Sequence, residues 1–155
     1  MSLPISGDQP DRRTLLGLAD QALAAGLSST AAGLYAQLLA DPRLDEKTRE
    51  LAGLGLSAAC VERGRTAEAK ATLRFLPKSP RRSLREGLVA LFENDVAGAR
   101  AAASELDPAA LPPSETAWGH ALRWMVAAAE SDNLALTLAL EAIARTAVSE
   151  EQRQR

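Results

Sequence analysis

One spacing recurs in this chain and leaves few folds open to it. Gly26 is followed at five, nine and twelve positions by Ala31, Tyr35 and Leu38; Gly64 is followed at the same offsets by Ala69, Leu73 and Leu76. A proline comes after each set, Pro42 and Pro77, and the two copies lie 38 residues apart. Steps of four and three place each apolar trio on one face of an α-helix. Glycine supplies the left-handed residue at which the preceding helix turns, and proline stops the following one. Such a unit is too small to bury its apolar face alone. Stacked neighbours complete the core.

The rest of the chain extends the pattern. Asp11 is the expected N-cap of a first helix reaching about Ala25, with Leu15, Leu18 and Ala22 on one side. Ser28 or Ser29 opens a second, which Asp41-Pro42 ends, and Thr66 is expected to cap the helix of the second copy. A third unit starts at Arg81 or Arg82 and runs to Phe92, with Leu84, Leu88 and Leu91 as its apolar face. Asn94-Asp95 takes the turn; five, nine and twelve positions past Asn94 stand Ala99, Ala103 and Leu106, and Asp107-Pro108 follows. A fourth opens with Pro113 and a capping Ser114 and passes through Trp118, Leu122, Trp124 and Met125. It turns at Ser131-Asp132-Asn133 and closes in a helix marked by Leu136, Leu140 and Ile143. The expected organisation is a flexible lead-in over 1–10, one helical repeat domain over 11–148 and a polar tail over 149–155. Aromatic residues make up only 3% of the chain, so close approach of helices through small side chains is expected in place of one bulky core.

The grammar of Gly64–Pro77 resembles the second half of a tetratricopeptide (TPR) repeat, and the resemblance extends over about residues 12–147. It implies an all-α fold, a right-handed α-solenoid of about four antiparallel helix pairs. The period exceeds the roughly 34 residues usual in the family, and the extra length falls in the Asp41–Lys47 connection. Leu15 and Gly53 stand where the family often has Trp.

In TPR stacks the first helix of each pair lines the concave surface. The resemblance, with Gly26, Gly64, Asn94 and Asp132 as equivalent turns, therefore assigns a groove. It comprises Leu16, Asp20 and Leu23; Leu51, Leu54, Ala58 and Val61; Leu84, Leu88, Leu91 and Phe92; and Leu122, Val126 and Ala129. This set is almost wholly apolar. It lacks the Lys, Asn and Arg with which some TPR modules grip a C-terminal carboxylate, and suits an amphipathic or extended hydrophobic segment of another protein. Aspartate at Leu54 or Leu88 is expected to abolish capture while helicity survives. An exposed apolar surface above roughly a few hundred Å² calls for a cover, so closure of the groove on itself and a homo-oligomerising structural module stay open beside the adaptor, scaffold or chaperone-like reading. Length, charge and an apolar concave face are also similar to those of the small TPR chaperones of bacterial type III secretion.

Other features narrow the function. The chain carries 18 Lys and Arg against 20 Asp and Glu, a net charge of −2, which does not favour nucleic acid as a partner. The local basic run Lys78–Arg85 offers Arg81, Arg82 and Arg85 as rim contacts, with a solvated connection as the alternative. Trp118, near a helix start, is a further rim candidate. Trp124 and Met125 are expected to plug the core. His120 is the only histidine and has no neighbours at ligand spacing, so packing is its expected role. The single Cys60 lies on an apolar face and reads as a buried small hydrophobe. No phosphate loop, nucleophile elbow or zinc motif is present, so neither catalysis nor a cofactor is expected. No secretory leader is evident and no apolar run approaches the ~20 residues of a membrane span. A cytoplasmic location is the expectation.

Overall fold

The computed structural model describes residues 11–131 and 133–153; the lead-in over 1–10 and Asp132 lie outside them. Among the described residues there are eight α-helices, one short 3-10 helix and no strand. They are α1 (Arg12–Ala24), α2 (Ser28–Leu39), α3 (Glu46–Glu62), α4 (Thr66–Arg74), α5 (Pro80–Phe92), α6 (Val96–Glu105), α7 (Pro113–Ala129) and α8 (Asn133–Arg153), with the 3-10 turn at Pro108–Ala110 before α7. The helical span of α8 takes in residues 149–153, assigned above to a polar tail.

The turns follow the repeat. Gly26 and Gly64 have φ of +76° and +71°, and Asn94 takes the same left-handed place at +60°. The fourth turn uses Ser131, at φ +56°, one residue before the expected Asp132. The trios behind the first three turns are all buried: Ala31, Tyr35 and Leu38; Ala69, Leu73 and Leu76; Ala99, Ala103 and Leu106. The fourth departs. Leu140 is 52% exposed, and its neighbour Ala139 is buried instead.

Capping agrees with the sequence at Asp11, whose carboxylate accepts from the Thr14 N–H at 2.7 Å. Thr66 is not a cap. Arg65 occupies that position and Thr66 is the first helical residue; one turn on, Lys70 pairs with the Glu93 carboxylate. Ser114 likewise lies inside α7, behind Pro112 and Pro113. Ser79 caps α5, accepting from the Arg82 N–H at 3.1 Å, so the basic run begins a helix. The long α2–α3 connection is pinned. Arg12 donates to the Asp41 carboxylate at 2.6 Å and to the Arg43 carbonyl at 3.0 Å, while Arg49 reaches the Asp41 carbonyl at 3.3 Å.

Every helix packs on the next in sequence, and each odd helix also meets the following odd one: α1 with α3, α3 with α5, α5 with α7. The core is correspondingly divided. One section joins α1, α2 and α3 around Tyr35 and Leu38. A second joins α3, α4 and α5 around Leu54, Leu73 and Val89, and a third joins α5, α6 and α7 around Leu84, Leu106 and Leu122. Small residues let the helices close up: the Leu122 side chain lies where a Cβ on Gly87 would stand.

Candidate interaction face

The adjoining odd helices make one face, and its chemistry is more polar than the sequence suggests. Tyr35 extends from α2 between α1 and α3. Its ring fills the space that a side chain at Gly55 would need, and its hydroxyl donates to Asp20 of α1 at 2.6 Å. Burial, and then the Asp20 hydrogen bond, push the Tyr35 hydroxyl well above its ordinary pKa. Asp20 therefore belongs to a tyrosine–carboxylate contact that ties α1 to α2.

On α5 the spacing of Arg81, Arg85 and Leu88 puts them on one stripe. Glu115 and Trp118, three apart on α7, form the facing one. Arg81 grips Glu115 in two parallel hydrogen bonds of 2.9 and 2.7 Å, the fork geometry that favours arginine over lysine. Those bonds hold the Arg81 guanidinium above its ordinary pKa. Arg82 turns away, donating to Glu86 at 2.7 Å and to the Leu76 carbonyl.

Arg85 is different. Its side chain keeps 31% of its surface, and its nearest acid, Glu115, lies 3.8 Å away with both oxygens already engaged by Arg81. That distance is an ion pair and not a hydrogen bond. Burial pulls the Arg85 guanidinium below its ordinary pKa, with Glu115 opposing; the group stays charged. Two cavities meet at this side chain. One, of about 280 Å³, is walled by Leu84, Leu88 and Trp118 with Ser114 and Glu115. The other, of about 160 Å³, lies towards α3 among Ala58, Val61 and Val89, beside Ser57 and Glu62. The Ser57 hydroxyl is spent on the Leu54 carbonyl at 2.7 Å, and among the described residues Arg85 is the one cation lining either space.

These positions correct the groove. Leu54, Leu84, Leu122 and Val126 are buried in the core, because the apolar stripe of an odd helix faces its own partner and the next pair. Aspartate at Leu54 would unfold the second core section before it could unload a partner. Leu16 and Leu23 pack against the first section, and Leu91 against the third. Leu51 is half-buried, Phe92 and Ala129 are exposed, and none of the three lines the two cavities. Ala58, Val61 and Leu88 do line them, with Trp118, 57% exposed, at the edge. Arg85 stands at the centre, not on the rim, so the face does not lack arginine. Cys60 is buried, and burial raises its thiol pKa.

No protein-family model, curated protein or solved structure matches this chain. Among the described residues no group of His, Cys, Asp or Glu is placed to hold a metal ion, and no helix is long and apolar enough to cross a membrane.

Proposed function

We propose that the chain is a TPR-like α-solenoid that works as a protein-interaction module, taking a segment of another protein along the face of its odd helices. The sequential contacts, the odd-to-odd packing and the three obedient repeat trios support the stacked architecture. The observation that carries the binding reading is Arg85: a charged, largely covered guanidinium without a hydrogen bond among the described residues, between two small apolar cavities. A covered charge is costly until it is paired and hydrogen-bonded. A segment presenting one Asp or Glu flanked by apolar side chains meets that need, its carboxylate on Arg85 and its neighbours beside Trp118 and Val61.

Selection of peptides from a random display library against the full chain tests this. Enriched sequences should share one acidic residue with apolar residues on both sides, and Arg85→Ala should abolish their binding while leaving the circular dichroism spectrum intact. Enrichment without acids, or equal binding by Arg85→Ala, would overturn the reading.

Self-association is the second reading. Leu134, Leu138 and Leu140 are all more than half exposed on α8, whose one extensive neighbour is α7. Light scattering at increasing concentration decides it: a rising mass supports a homo-oligomer, a constant monomer mass rules it out.

A further inference from the structure

A larger recess lies away from the Arg85 face, where α6, α7 and α8 come together. It encloses about 430 Å³, within the range of small-molecule sites, and its two ends differ in charge. At one end Arg100 of α6 is paired with Glu130 at the close of α7, so the charges there cancel. At the other stand His120 and Arg123, one turn apart on α7, and among the described residues no carboxylate lines that end. Arg123 is fixed in place by donating one guanidinium N–H to the Leu106 carbonyl at 2.6 Å, leaving further donors. His120 has no hydrogen-bond partner among the described residues. Burial, then Arg123 and Arg145, hold its pKa below the ordinary value, as expected at an electropositive spot. Between the ends the wall is apolar: Val126 from α7, Leu138 and Ala142 from α8. The seven steps from Arg123 to Glu130 span about 10 Å of helix.

We propose that this recess binds a small amphiphilic carboxylate, its acid group on Arg123 and His120 and its apolar body along Val126, Leu138 and Ala142. The length fits an acid of medium chain or one with a single ring. The recess is separate from the face assigned to a protein partner, and either assignment can stand without the other.

Isothermal titration of the full chain with octanoate tests it, with octan-1-ol and octyltrimethylammonium as the neutral and cationic counterparts. Octanoate should bind once per chain, and neither counterpart should bind over the same concentrations. Arg123→Gln should weaken octanoate by about tenfold or more, the loss of one charge-assisted hydrogen bond. Ala142→Phe, which fills the apolar wall and leaves every charge in place, should weaken it comparably, and it serves as the deciding variant if Arg123→Gln fails to fold. Octanol binding as well as octanoate, several octanoates per chain, or octanoate binding unmoved in the folded variants would each overturn the assignment.

Discussion

At Gly55 a missing side chain does structural work. A Cβ there would stand inside contact distance of the Tyr35 ring and hydroxyl, and an aromatic ring hemmed in by core has few rotamers to escape into. Gly55→Ala should therefore cost about 1–3 kcal/mol by overpacking, read from the urea midpoint. It should also push the Tyr35 hydroxyl off Asp20, so that Tyr35→Phe costs less in the Gly55→Ala background than in the parent. This coupling was not visible in the sequence: Asp20 and Tyr35 are 15 residues apart, and only the turn at Gly26 brings them together. Arg85 was partly visible. Its spacing from Arg81 and Leu88 announces a shared stripe, but Glu115 lies 34 residues beyond Arg81. Which arginine would claim both of its oxygens depends on helix rotation, and no local pattern sets that.

Helices show the same division between local and distant causes. The boundaries of α1, α2 and α5 follow caps, turns and prolines that act within a few residues, so they could be read directly. The assignment failed at Thr66 because α4 starts one residue sooner, directly behind the left-handed turn at Gly64, with Arg65 in the cap position. It failed again along α8. Leu134, Leu136, Leu138 and Leu140 alternate at every second position, and two steps along a helix rotate a side chain by about 200°. Leucines so spaced occupy both sides, and the packed side is chosen by α7 alone. In α4, by contrast, Ala69 is fully buried between helices that approach closely. Ala69→Leu should lower stability by about 1–3 kcal/mol, measured as a shift in the denaturant midpoint at unchanged slope. An unshifted midpoint would mean that the α3–α4–α5 section can open to admit a larger side chain.

For the whole molecule the divided core sets how stability is distributed. Helices α3 and α5 each contribute to two sections, whereas α8 makes its one extensive contact with α7 and leaves several leucines uncovered. Local opening is easiest where apolar burial is least. Amide hydrogen exchange should accordingly be fastest in α8, and slowest in α3 and α5; uniform protection through all eight helices would contradict this. The buried side of α2, α4 and α6 was legible from the recurring trio, since that pattern states which side of each helix must be hidden. The polar character of the odd-helix face was not, because it arises where side chains from three or four separate helices converge. Arg85 sits on the seam between α3 and α5, one or other of which enters every core section. A guest drawn to it would therefore act as a keystone. Its arrival would stiffen the span on either side at once, and the molecule would register occupancy at a distance without any hinge of its own.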